Sequence, residues 1–190
     1  MFNRILSCQK CSLSLSQKPL LVSTFNVKRP IMVVGISAKI THFASESPLD
    51  GRTPSGRIID SMESIANDMG LSIYRTNLVK CAPIDSSSKL RYPTTDEITA
   101  CIDNLIFEIE VLDPPLVILL GSIVQTALEN KLNMRIGKVR ACSFPLYKHR
   151  QRYYVASYHP SYVARSKKRS EMYLMNFSAM LNSIIPEISE

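Results

Sequence analysis

The chain has 190 residues, 45% hydrophobic and 21% charged, which excludes a disordered tail or a disulfide-dense scaffold and fits one domain spanning residues 1–190. Its 23 Lys and Arg against 16 Asp and Glu leave a net charge of +7, which favours a polyanionic partner, most simply nucleic acid. No apolar run approaches the roughly 20 residues that cross a bilayer.

No hydrophobic stretch precedes Cys8, so export is not expected and the setting is cytoplasmic; a monomer with no membrane partner is expected. In that compartment five cysteines are better explained by metal ligation or free thiols than by disulfides.

Pro30 opens a β-branched apolar run, Ile31 to Gly35, that reads as a strand covered on both faces. From Gly56 to Met69, Ile58, Ile59, Met62, Ile65, Ala66 and Met69 recur at helical spacing, and Gly70 supplies the stop. Ile73 to Val79 is a second strand. A helix begins at Pro93-Thr94, with Thr94 and Thr95 as N-cap candidates and Ile98, Cys101, Ile102, Leu105 and Ile109 as its apolar stripe. Pro114-Pro115 ends it and launches a third strand, Leu116 to Leu120. Gly121-Ser122 turns directly into a helix through Leu128, Tyr153 to Ser157 is the fourth strand, and Glu171 to Ile185 closes the chain as a helix. This alternation implies an α/β fold, a parallel sheet with helices on both faces, with ligands bound beyond the carboxyl ends of the strands.

Cys8-Gln9-Lys10-Cys11, with Cys81 and Cys101, offers four thiolates for a tetrahedral site that suits zinc or an iron–sulfur cluster. A chance C-x-x-C with two ordinary buried thiols meets the same spacing. Cys142 has no partner spacing. Asn77, closing strand two, presents a donor and an acceptor together, as reading a base edge requires; the plainer role is a local turn. His159, closing strand four ahead of Pro160, is placed to donate to an anion developing on a substrate, where a structural role is the plainer alternative.

Taken together these pieces resemble the uracil-DNA glycosylase superfamily, and within it the iron–sulfur group called family 4. The resemblance rests on Cys8-x-x-Cys11, Val33-Val34-Gly35, Thr76-Asn77-Leu78-Val79-Lys80-Cys81, Pro93 through Glu97 to Cys101, Leu119-Leu120-Gly121, and His159-Pro160-Ser161 with Arg165. It implies a three-layer α/β/α sandwich on a four-stranded parallel sheet. The implied reaction hydrolyses the N-glycosidic bond of uracil flipped out of single- or double-stranded DNA, as in base excision repair. His159 would stabilise the departing base, Asn77 would pair with the uracil edge and reject cytosine, and Ser37 is the candidate for positioning water. Gly35, Ile36, Leu49, Ser161 and Arg165 are the further substrate contacts expected. Lys80, Arg165 and Lys167-Lys168-Arg169 would touch phosphates. Cys8, Cys11, Cys81 and Cys101 would hold a [4Fe–4S] cluster, with zinc in the same cage as the alternative.

The first motif departs from the family. Family 4 reads G-E-x-P-G, whereas this chain reads Gly35-Ile36-Ser37-Ala38-Lys39, and Ile36 is unable to polarise water. Ser37 takes the place of the water-orienting Asn of the mismatch-specific branch, and Glu46, Asp50 and His42 are the other groups able to serve. The stacking aromatic of P-F-V-G is replaced by Leu49 in Pro48-Leu49-Asp50-Gly51, with Phe43 as a substitute elsewhere in the loop. Between Cys81 and Cys101 the chain is longer than usual for family 4, yet Ser86 to Tyr92 holds no His for covalent capture of the sugar. A catalytically inactive relative that binds DNA or protein is the alternative these losses suggest.

Overall fold

A computed structural model describes residues 2–21, 27, 29–43, 46–139 and 142–188. Five strands form one sheet: β1 (Ile31–Ser37), β2 (Ile73–Val79), β3 (Leu116–Leu120), β4 (Leu146–His149) and β5 (Arg152–Ser157). Their order is β2-β1-β3-β5-β4. The first four are mutually parallel, and β4 pairs antiparallel with β5 at the edge.

The expected four-stranded parallel sheet is therefore corrected to a mixed sheet of five. Leu146 to His149 is a short, half-exposed strand without a buried stripe, turned into β5 through Arg150 in the left-handed region (φ 57°). Such an edge leaves no apolar run to read.

Strand residues alternate between two cores. Met32, Val34, Tyr74, Val117, Leu119 and Ala156 face α4 (Thr95–Leu112) and α5 (Ser122–Leu132). Ile31, Val33, Ile73, Leu116, Ile118 and Val155 face α3 (Pro54–Asp68) and α7 (Lys167–Ile188). The result is three layers, since a parallel sheet must be covered on both faces. Two single-turn helices, α1 (Asn3–Leu6) and α2 (Leu13–Ser16), lead the chain, and Leu13 packs into the α4–α5 core. Among the described residues, none of the helices is long and apolar enough to cross a membrane.

Local chemistry sets the helix ends. Thr53 accepts the Gly56 N–H at 3.0 Å, with Pro54 in the first turn, so α3 starts two residues before its apolar pattern. At α4, Thr94 and Glu97 form a reciprocal capping box. Asp113, left-handed at φ 44°, ends α4 just ahead of the prolines. Asn133, left-handed at φ 50°, ends α5 one turn beyond Leu128.

Candidate active site and four-cysteine cluster

The chain runs from β1 outward to β2, then returns to place β3 on β1's other side, so the sheet's switch point lies between β1 and β3. β1 continues two residues past Gly35, bringing Ile36 and Ser37 to that end of the sheet. Gly35 pairs with Asn77 across the β1–β2 ladder. A Cβ on Gly35 would stand 2.5 Å from Asn77 Oδ1 and 2.9 Å from Leu49 Cδ2. Only the absence of a side chain lets both groups pack there. Asn77 is 2% exposed, and its Oδ1 is buried without a hydrogen-bond partner. An orphaned acceptor of this kind costs about 1–3 kcal/mol until a donor arrives. Leu49 adopts φ 54°, a strained conformation for a branched residue, and its carbonyl accepts from the Arg75 guanidinium at 3.1 Å.

His159 follows β5 and N-caps the single turn α6 (Pro160–Val163). Its Nδ1 accepts the Ser161 backbone N–H at 3.2 Å and lies 2.9 Å from Ser161 Oγ. An Nδ1 that accepts leaves the neutral ring's proton on Nε2, free to donate. Burial holds the imidazole below its ordinary pKa, which favours this neutral form.

Two adjoining hollows open here. One, about 240 Å³, is lined by Ile36, Leu120, Gly121, Ser122, Ile123, His159, Ser161 and Tyr92. The other, about 270 Å³, is lined by Ile36, Ser37, Leu90, Arg91 and Tyr92. His159, Ile36 and Ser161 thus meet around one space, with Ser37 in the next. Asn77 and Leu49 lie behind Gly35 and line neither, and Arg165 is exposed beyond the helix turn. Gly121, at φ 96°, starts α5 and donates its N–H to Ser157 at 2.8 Å; a Cβ there would approach His159 Cβ at 4.0 Å.

The loop carboxylates are occupied elsewhere. Glu46 Oε1 accepts the backbone N–H groups of His42 (2.7 Å) and Phe43 (3.1 Å), and Oε2 pairs with Lys39 at 2.7 Å. The lysine and these amides lower its pKa to about 2. Asp50 is gripped by Arg52 through Nε and Nη2, both at 2.7 Å, which holds its carboxyl far below the usual range. His42 and Phe43 are exposed. No Asp or Glu lines either hollow among the described residues.

The four expected cysteines do converge. Cys8, Cys11, Cys81 and Cys101 line one closed space of about 10 Å³, together with Leu13, Val79 and Asn104. The Lys80 backbone N–H donates to Cys101 Sγ at 3.4 Å, and Asn104 Nδ2 donates to Cys8 Sγ at 3.4 Å. Burial and the neighbouring thiols push Cys81 up to about 12, so the thiolates need a compensating positive charge. Four soft donors with N–H groups aimed at their sulfurs fit a metal group, and Cys142 lies apart in the other core. Among the described residues, no three ligand-type side chains close on a single ion-sized point.

Residues 22–183 match the uracil DNA glycosylase superfamily. The chain belongs to that superfamily. It is similar to the type-4 uracil-DNA glycosylase of Saccharolobus solfataricus, 33% identical over 144 residues, which span 73% of this chain and 63% of that protein. The type-4 uracil-DNA glycosylase of Thermotoga maritima is 26% identical over 86% of this chain and 81% of its own length. That of Archaeoglobus fulgidus is 24% identical over 91% and 86%.

Within this uracil DNA glycosylase fold, one expected phosphate contact needs correction. Lys80 is 1% exposed, ion-paired with buried Glu108 of α4, and its Nζ donates to Thr76 Oγ1 (2.7 Å) and the Asn77 carbonyl (2.6 Å). It faces the core and is out of reach of DNA. Arg169 stacks 4.1 Å from the Tyr162 ring and donates to the Tyr162 carbonyl at 2.9 Å, whereas Arg165, Lys167 and Lys168, which follow His159 along the chain, are exposed. Sequence reading missed Glu108, whose Oε1 also accepts from Tyr74 OH at 2.7 Å. A glutamate inside an apolar helical stripe was the available signal.

Proposed function

We propose that this chain is a uracil-DNA glycosylase, hydrolysing the N-glycosidic bond of uracil extruded from single- or double-stranded DNA in base excision repair. The observation that carries the reading is a pair of differently prepared polar groups at the carboxyl ends of β2 and β5, on either side of the central strands β1 and β3. His159 is held neutral with Nε2–H free, and Asn77 keeps a buried acceptor unpaired. The type-4 uracil-DNA glycosylase names of the relatives support it.

Breaking the bond leaves a cation on the sugar and an anion on the base. His159 Nε2–H donates to the base oxygen where that charge collects, and a neutral donor is sufficient because the charge is delocalised in the ring. Asn77 Oδ1 accepts the uracil N3–H. Cytosine offers a lone pair at that position, so acceptor would meet acceptor and the base is rejected. Gly35 makes room for this carboxamide, and Leu49 covers the same place with aliphatic surface.

Water orientation falls to the Ser37 hydroxyl at the end of β1, since Ile36 lacks a polar atom and Glu46 and Asp50 are committed to their own loop. Arg165, Lys167 and Lys168 flank His159 on the surface and contact the phosphates, with Ser161 at the hollow's rim. The protein acts as a monomeric single domain in the cytoplasm.

Cys8, Cys11, Cys81 and Cys101 would hold a [4Fe–4S] cluster, with zinc in the same four-thiolate cage as the alternative; four soft sulfur donors lining one space support either. The group supplies a structural clasp between the N-terminal segment and the β2–α4 layer. It takes no part in the bond cleavage.

The lack of a carboxylate around the hollows favours one second reading, a weakly active or inactive relative that binds DNA. Uracil release from a labelled oligonucleotide separates the two. Wild type is expected to release uracil but not cytosine, and Asn77→Ala to lose most of the activity; no release at stoichiometric enzyme leaves the binding reading.

A further inference from the structure

The segment after Cys81 forms a small tongue that none of the roles above uses. Ile84 and Leu90 make an antiparallel bridge, and Asp85 Oδ1 accepts the N–H groups of Ser87 (2.8 Å) and Lys89 (2.9 Å). Ser88, left-handed at φ 58°, turns the chain. Arg91 pins the base of the tongue: its guanidinium meets Glu97 of α4 through two bonds of 2.8 and 2.6 Å and donates to the Ile84 carbonyl at 3.1 Å. A bidentate pair to a capping-box glutamate is a rigid anchor.

What this anchor presents is Tyr92. The side chain is 75% exposed, although it lines both hollows and, with Ile36, separates them. Apart from His159, it is the one ring among the described residues lining the hollow that holds the histidine; the rest of that wall is aliphatic or small, as at Leu120 and Ile123. An aromatic face left in water at the mouth of a mostly apolar cleft is an unused stacking surface, and base–aromatic stacking is sequence-tolerant. Leu90, 52% exposed, stands beside it.

We infer that Tyr92 packs its ring on the extruded nucleotide, forming the outer wall of the base site opposite His159. The inference rests on the glycosylase reading and deepens it. The tongue thereby contributes an aromatic contact to hollows that Leu49, packed behind Gly35, does not line.

The test is the affinity of wild type, Tyr92→Ala and Tyr92→Phe for two single-stranded oligonucleotides. One carries a single 2′-fluoro-2′-deoxyuridine, whose fluorine resists formation of the sugar cation and so keeps the base attached; the other carries thymidine there. Tyr92→Ala should weaken binding to the fluorouridine strand by roughly 5- to 150-fold while leaving the thymidine strand and the melting temperature unchanged, and Tyr92→Phe should restore binding to within about 2-fold. Equal losses on both strands, no loss, or failure of Phe to restore binding would overturn the inference. Wild type binding both strands equally would instead remove the base-reading account on which it rests.

Discussion

Gly35 and Asn77 are register partners in the β1–β2 ladder, and the space a Cβ would take on Gly35 is filled by Asn77 Oδ1, 2.5 Å away. The carboxamide proposed to read the base is therefore accommodated by the lack of a side chain on the neighbouring strand. Gly35→Ala should force Asn77 or Leu49 to move. We expect uracil release to fall at least about 10-fold, since displacing a group by an ångström commonly costs that much or more. Steady-state kinetics with far-ultraviolet circular dichroism would check it: retained fold with lost activity is the expected pair.

Lys80 and Glu108 form a buried ion pair whose lysine also holds the Asn77 carbonyl. Removing one partner leaves an uncompensated charge in the core. Lys80→Met is expected to destabilise the protein by about 3–5 kcal/mol, whereas the double variant Lys80→Met/Glu108→Leu should recover much of that loss. Urea unfolding of the three proteins measures both, and an undiminished Lys80→Met would refute the pairing.

Much of this was legible in advance, and the failures have physical causes. The β-branched runs at Ile31 and Leu116 betray buried strands because nothing else packs on both faces. The four cysteines and the Asn77 and His159 turns stood out because their chemistry depends on residue type. β4 was missed because its edge position removes the apolar stripe. Lys80 was misplaced onto the surface because its partner Glu108 lies 28 positions along the chain, where spacing carries no signal. The committed states of Glu46 and Asp50 depend on loop backbone amides and on Arg52, which no motif encodes.

Burial depresses the His159 pKa below its ordinary 6.5, and the neutral ring is the working form. Activity should thus stay flat as pH falls from 8 to about 6.5 and decline only through a lower midpoint. Between that folded midpoint and about 6.5 the unfolded chain binds more protons, so this group lowers stability as pH falls across the same window. A pH profile of kcat/KM with its acid limb centred above 6.5 would contradict the buried neutral donor.

Cys81, just past β2, and Cys101 of α4 line one space with Cys8 and Cys11, where the proposed cluster would clasp them together. Cys81→Ser should cost the purified protein its bound iron and lower its melting temperature by several degrees, as expected for loss of about 1–2 kcal/mol or more from a domain of this size. Iron content and visible absorbance, together with a thermal scan, decide it. Zinc in place of iron in the wild type would correct the cluster assignment and leave the clasp.

The most direct measurement is single-turnover release of uracil from a labelled oligonucleotide by wild type and His159→Ala. Removal of one preorganised donor from a developing anion is expected to slow release by roughly 100-fold or more, with oligonucleotide affinity nearly unchanged. Equal rates for the two proteins would contradict the account, because the imidazole beyond β5 would then contribute nothing to the bond that breaks.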